Sequence, residues 1–173
     1  MDAGPVLRLI EAASATWGFT FVGIGGRGGA GKSTLASFVP DAQIVGTDEF
    51  WNGAEFDLSR LRTEVFDRLV AGDAADFASW DWRGRRPGPS RTVTPDGIVV
   101  VEGVCALHRM FRDDYDVRVW VDAPYDVRLA RGVERDGEAA RATWVEHWMP
   151  MEDAYVARDD PVSCADVVLD GSC

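Results

Sequence analysis

Residues 26 to 33 read Gly26-Arg27-Gly28-Gly29-Ala30-Gly31-Lys32-Ser33, the spacing G-x-x-x-x-G-K-[ST] of a phosphate-cradling turn. The glycines let successive backbone N–H groups turn inward around one set of oxygens. A helix opening at Lys32 adds the positive end of its dipole. The lysine of such a turn reaches the β- and γ-phosphates of a nucleotide, and the hydroxyl after it faces a magnesium ion. The flanks fit this use. Residues 19 to 24 (FTFVGI) form a short apolar run that ends in glycines, as a buried strand does. From Lys32 to about Val39 the pattern is helical, and Pro40 stops it. Gly26, Gly28, Gly29, Ala30, Gly31, Lys32, Ser33 and Thr34 are therefore the expected nucleotide-binding residues, with ATP and Mg2+ the implied cofactors.

Composition singles out the same lysine. Of 18 basic residues Lys32 is the only lysine, the rest being arginine. A lone compact ammonium thus stands where a point charge must slot beside phosphates. The chain as a whole is acidic, with a formal net charge of -11, which repels phosphate backbones, so no nucleic-acid partner is expected. A chain of 173 residues that is 46% hydrophobic suits one domain over residues 1–173. No stretch approaches the ~20 apolar residues of a membrane span, and Met1 to Trp17 lacks the apolar centre of a signal peptide. A cytoplasmic protein without membrane association is the expectation. Cys105, Cys164 and Cys173 form no C-x-x-C pair, and His108 and His147 are the only histidines. Neither a disulfide framework nor a zinc site is suggested.

Working outward, residues 5 to 17 place Val6, Leu7, Leu9, Ile10, Ala13 and Trp17 near helical spacing, and Gln43 to Thr47 reads as a second strand. Residues 57 to 70 set Leu58, Leu61, Val65, Phe66, Leu69 and Val70 on one helical face. Residues 79 to 97, rich in Arg, Pro and Gly, predict a hairpin or long loop that serves as a substrate clamp. The β-branched run Ile98 to Val101 predicts a central parallel strand, and residues 116 to 122 (DVRVWVD) alternate as a strand nearer an edge does. A mostly helical stretch from about 125 to 158 follows, and Ala165 to Leu169 supplies a last strand. Strands separated by helices imply an α/β, doubly wound fold with a parallel sheet and right-handed crossovers.

Among proteins with this turn, a GTPase needs an N-K-x-D-type guanine motif, and no second lysine exists to build one. There is no LSGGQ-like segment, and the chain is short for an AAA+ module. A metabolite kinase remains, and it requires a base near the acceptor hydroxyl, a carboxylate for the metal and arginines for the migrating phosphoryl group. Asp48 ends the second strand, on the side where strand carboxyl ends face a ligand crevice, and is the base candidate; a helix cap is its alternative role. Phe50 and Trp51 follow it and can wall a substrate from water. Glu102 emerges after Val101 at the same edge, to serve Mg2+ or to cap structure. Arg128, Arg131 and Arg135 recur at spacings of three and four, which puts them on one helical face. They form either a lid over phosphates or a solvated face paired to Glu134 and Asp136. Trp144, Trp148 and Tyr155 also follow helical spacing and suit core packing better than substrate stacking, with Pro150 marking a break between helices.

These residues resemble the uridine kinase-like family of P-loop kinases, which also includes phosphoribulokinase-like and nicotinamide riboside kinase-like enzymes. The resemblance covers roughly residues 19 to 171. It is carried by GGRGGAGKST (25 to 34), TDEFW (47 to 51), SWDW (79 to 82), VVVEGVCAL (99 to 107), YDVRVWVDAP (115 to 124), RLARGVERD (128 to 136) and ADVVLDG (165 to 171). It implies a P-loop NTPase fold, a three-layer sandwich whose five-stranded parallel sheet has the order 2-3-1-4-5, with a helical lid at about 125–140. It also implies Asp48 as base, a metal site of Ser33, Glu102 and Asp48, and transfer assisted by Lys32, Arg128, Arg131 and Arg135. The hairpin departs from the uridine kinase pattern, offering Trp80, Asp81, Trp82, Arg83, Arg85 and Arg86 but no histidine. The implied reaction moves the γ-phosphate of ATP to a hydroxyl of a small molecule. That acceptor is a nucleoside such as uridine or cytidine, or else a ribosylated vitamin, pantothenate or a sugar phosphate. Asp48, Phe50, Trp51, Trp80, Trp82 and Arg83 are its expected contacts. The rival class is a nucleotide-binding switch that transfers nothing. Self-association stays open.

Overall fold

The computed structural model describes residues 1–172. Along the chain run α1 (Gly4–Ala12), β1 (Thr20–Gly26), α2 (Lys32–Ala36), β2 (Gln43–Gly46), α3 (Leu58–Leu61), α4 (Asp67–Val70), β3 (Ala75–Asp81) and β4 (Arg86–Val93). Then come β5 (Ile98–Gly103), β6 (Val117–Asp122), α5 (Tyr125–Asp136), α6 (Arg141–Thr143), α7 (Met149–Asp159) and β7 (Val167–Asp170). Five strands make one parallel sheet in the order β2-β5-β1-β6-β7, while β3 and β4 pair antiparallel as a separate hairpin. The order expected from a five-strand count, 2-3-1-4-5, differs in its numbering because the two hairpin strands intervene between β2 and β5.

The unbroken apolar character of the inner strands follows from cover on both faces. Phe21, Val99, Val101 and Trp120 pack into one core with Phe66, Phe111 and Tyr115. Their strand neighbours Val22, Ile24, Val100 and Val119 pack into a second core with Val6, Ile10 and Leu35. Strand alternation thus sends consecutive residues into two cores and gives three layers, each buried side chain of this size contributing about 1.5–3 kcal/mol.

Several boundaries depart from the sequence expectation. α1 stops at Ala12 rather than near Trp17, because Ala13 is extended and Ala15 takes a left-handed φ of 40°. Trp17 instead donates its indole N–H to the Asp114 carbonyl at 2.9 Å. α2 ends at Ala36 and gives way to tight turns through Val39. The helical run 58–70 carries a π turn at Arg62–Phe66. The hairpin begins at Ala75, where buried Ala75 and Phe77 flank exposed Asp76 in strand alternation. β6 lies one strand in from the edge, which β7 occupies. Pro150 lies just after a π turn at Trp144–Trp148 inside one continuous helical run from Arg141 to Asp159, so the expected break is a local widening of the helix. Cys105 and Cys164 are free thiols, and Cys173 lies outside the described residues. Among the described residues no helix is long and apolar enough to cross a membrane.

Register places the site. Glu102 of β5 lies opposite Ile24 of β1 on one side and Gly46 of β2 on the other. The carboxyl ends of three neighbouring strands are therefore level, and the segments leaving them open onto one crevice, as ligand sites of open α/β sheets do.

Candidate active site

The crevice is a cavity of about 600 Å³ bounded by the glycine-rich loop, the turn after β2, the end of β5, α5 and the segment that leads into α7. At the loop, Gly29 and Gly31 have φ of 75° and 103°, a region that side-chain-bearing residues rarely enter. Gly28, Gly29, Gly31, Lys32, Ser33 and Thr34 line the space; Gly26 and the fully buried Ala30 lie behind it. Lys32 is only 8% exposed, and its ammonium donates to the Arg27 carbonyl at 2.9 Å. Burial holds its pKa below the ordinary lysine value, against the opposing pull of Glu102 and Glu152. A desolvated ammonium with one carbonyl partner is suited to an incoming anion.

Ser33 Oγ donates to Glu102 Oε1 at 2.9 Å. Burial raises the Glu102 pKa, while Lys32 opposes the rise. Asp48 lines the same cavity, so the oxygen donors of Ser33, Glu102 and Asp48 share one space. Among the described residues no cluster of three His, Cys, Asp or Glu side chains forms a complete cage. The oxygen-only set of one hydroxyl and two carboxylates fits Mg2+, which takes one or two carboxylates and completes its shell from phosphates and water.

Asp48 occupies a 3-10 turn, Thr47–Phe50, whose shape is fixed from behind. Glu49 accepts from the Gly46 N–H at 2.9 Å and from Arg91 at 2.5 Å, and Arg91 also donates to the Ile44 carbonyl at 2.7 Å. Trp51 follows, with its ring 5.5 Å from that of Trp82 and 5.2 Å from that of Phe56; all three line the cavity. Phe50 does not. It is fully buried against Phe77, under the Arg60 guanidinium. Trp80 lines a neighbouring smaller cavity with Arg85 and Arg86. Trp82 lies past the end of β3, so strand alternation no longer keeps it beside Trp80. Arg83 is exposed at the hairpin turn and lines neither cavity.

The three arginines of α5 separate. Arg131 and Arg135 line the cavity; Arg128 does not. Arg128 is buried, donating to the Ala123 carbonyl at 3.1 Å and approaching Glu152 at 3.4 Å. A shared face does not mean a shared height, since seven residues of helix rise about 10 Å. Arg131 donates to the carbonyls of Gly29 at 3.2 Å and Gly171 at 2.7 Å, which ties α5 to the loop. Arg135 pairs with Asp136 at 2.8 Å and lies over the Trp144 ring. Sequence reasoning missed two residues here. Trp144 is buried as expected but also walls the cavity, wedged between two glycines. A Cβ on Gly28 would come within 2.8 Å of its ring, and one on Gly132 closer still. Gly132 inside a helix was the available signal, because glycine there costs about 1 kcal/mol unless something packs closely on it. Glu152 of α7, whose side chain reaches the loop, had no such signal.

No family profile matches the chain. A uridine kinase from Vibrio parahaemolyticus is 30% identical over 145 residues, covering 68% of this chain and 68% of that protein. The chain belongs to the uridine kinase-like family of P-loop kinases. Uridine kinase-like protein 3 of Arabidopsis thaliana is 28% identical over 140 residues, covering 66% of this chain but only 30% of that longer protein. A solved structure described as a possible uridine kinase from Bacillus stearothermophilus superposes with a TM-score of 0.73 at 19% identity, covering 97% of each chain. That likeness extends the P-loop kinase fold over nearly the whole uridine kinase-like chain, including the hairpin and α5–α7.

Proposed function

We propose that this chain is an ATP-dependent kinase that transfers the γ-phosphate to a hydroxyl of a small metabolite, with a nucleoside such as uridine or cytidine the first candidate. One observation carries the proposal: a single cavity is lined by Lys32, Ser33 and Glu102 and also by Asp48 and the Trp51–Trp82 pair. Both halves of a transfer reaction face the same space. The 30% identity to a protein named uridine kinase supports the acceptor class.

In the proposed mechanism the loop amides and Lys32 hold the triphosphate, and Arg131 and Arg135 offset charge on the migrating group. Ser33, Glu102 and Asp48 would hold Mg2+, which when bound supplies charge neutralisation at the phosphates. Asp48 orients the acceptor hydroxyl and takes its proton, while Trp51 and Trp82 stack a planar acceptor and exclude water. Positioning and electrostatics supply most of the rate.

The test is ADP release from Mg-ATP with a panel of nucleosides, pantothenate, ribosylated vitamins and sugar phosphates. Stimulation by one class identifies the acceptor. Lys32→Ala should weaken ATP binding while the fold persists, and full retention of affinity would overturn the loop assignment. The internal bonds of Arg128 and Arg131 favour a second reading, an ATP-binding switch. ATP binding with no stimulation by any acceptor selects it.

A further inference from the structure

The phosphate-binding loop already holds an anion supplied by the chain. Glu152 of α7 has a side chain 4% exposed, and its Oε1 accepts the Gly28 N–H at 3.0 Å. Its other oxygen lies 3.4 Å from Arg128 Nη1. One carboxylate therefore bridges the loop and the arginine withdrawn from the cavity, and it also forms part of the cavity wall beside Lys32.

A purely structural bridge would not need this charge. A carboxylate offers about four acceptor sites, and among the described residues one amide bond of ordinary length and one long guanidinium contact are the hydrogen bonds it makes. Charge-assisted pairs that stabilise strongly are nearer 2.7–2.9 Å. A neutral glutamine could accept from Gly28 without the cost of burying an ion. Burial does push the Glu152 pKa upward, opposed first by Lys32 and then by the Gly28 amide. Set against that push, the Arg128 guanidinium and the Gly28 amide favour the ionised form, and in that form Glu152 lowers the net field where phosphate charge must enter.

On the basis of the proposed function, we infer that Glu152 is a positioning residue that sets affinity for the nucleotide's phosphates: its charge opposes polyphosphate at the loop and keeps Arg128 turned away. Lys32 and the loop amides attract the polyphosphate; Glu152 limits how tightly it and the product are held. Glu152→Gln removes the charge, keeps the acceptor for Gly28 and loosens Arg128. One unit charge within several ångströms of a phosphate, at the effective dielectric of a protein surface, corresponds to a change on the order of tenfold in binding.

The experiment is calorimetric binding of Mg-ATP, inorganic tripolyphosphate and adenosine to the wild-type chain, E152Q and E152D, with melting curves for each. The expected result is that E152Q binds ATP and tripolyphosphate on the order of tenfold more tightly while adenosine affinity is unchanged, and that E152D, which keeps the charge, stays near wild type. A merely structural role would lower the melting midpoint and move adenosine and ATP together. Unchanged or weaker ATP binding by E152Q overturns the inference and leaves the proposed function standing. So does an equal gain for adenosine. Should E152Q be too unstable to measure, E152D carries the test: a tenfold or greater gain for tripolyphosphate with the charge still present overturns the inference, and wild-type affinity supports it. If neither the wild type nor E152Q binds either polyphosphate, the proposed function itself falls and the inference with it; binding by E152Q alone supports both.

Discussion

The two ends of the cavity are held to different standards. At the loop end Lys32 and Glu152 are buried, each hydrogen-bonded to the loop's own backbone, and Arg131 ties the helix α5 to the same turn. At the hairpin end Asp48 and Trp82 are exposed, and Trp82 is placed by ring contact with Trp51. Under the proposed function a polyphosphate would meet donors held in place by the fold, and an acceptor a few aromatic walls and one carboxylate. Such a division suits an enzyme whose donor is fixed and whose acceptor is chosen by a movable clamp, because preorganisation at the first end leaves the second free to vary.

The largest effect that could break this division is at Asp48. Under the proposed function Asp48→Ala lowers turnover by roughly 10²- to 10⁴-fold, the usual worth of a general base. ATP should still bind, with a loss of affinity far smaller than the loss of turnover, because Lys32 and the loop amides stay in place while only one of three proposed Mg2+ ligands is removed. If ATP affinity fell in parallel with turnover, the two ends would not be separable. Glu102→Gln should act next most strongly, raising the Mg2+ concentration for half-maximal ADP release by about 10- to 100-fold, as loss of a metal-orienting carboxylate does. An unchanged Mg2+ requirement would assign Glu102 to holding Ser33 alone.

The same asymmetry decided what the sequence revealed. The loop end was legible because its chemistry is local: eight consecutive residues carry the amides, the ammonium and the hydroxyl, and β1 before them reads as a strand by itself. The parallel sheet was legible because two-sided burial leaves unbroken apolar runs such as Ile98 to Val101. What failed was anything set by tertiary contact. Phe50 and Trp51 are adjacent and both aromatic, yet one packs on Phe77 and the other opens to the crevice. Arg128 shares spacing with Arg131 and Arg135 but is claimed by Ala123 and Glu152, 24 residues further on. Glu152 reaches Gly28 across 124 residues, a distance no periodicity reports.

At the loop end Trp144 packs on Gly28 and Gly132, and it gives the third test. Gly132→Ala would place a methyl group against a fully enclosed indole. Overpacking of this kind costs about 1–3 kcal/mol, so the urea midpoint should fall accordingly. A neutral outcome would mean that α5 shifts freely on the loop, and the loop end would be less rigid than its hydrogen bonds indicate.

The smallest effect probes the hairpin end directly. Trp82 is 47% exposed, and its ring lies 5.5 Å from Trp51 at an interplanar angle of 31°. An offset aromatic contact is worth about 0.5–1.5 kcal/mol beyond area burial. If Trp82 stacks on the acceptor as well as on Trp51, Trp82→Ala raises the acceptor KM about 2- to 10-fold with the ATP KM unchanged. Turnover should change little, because stacking is made alike in ground state and transition state, and uniform binding appears in KM alone. A fall in kcat with KM unmoved would give Trp82 a different part, that of aligning Asp48 with the acceptor hydroxyl through Trp51. The hairpin would then be as tightly coupled to chemistry as the loop, and the contrast between the two ends would be lost.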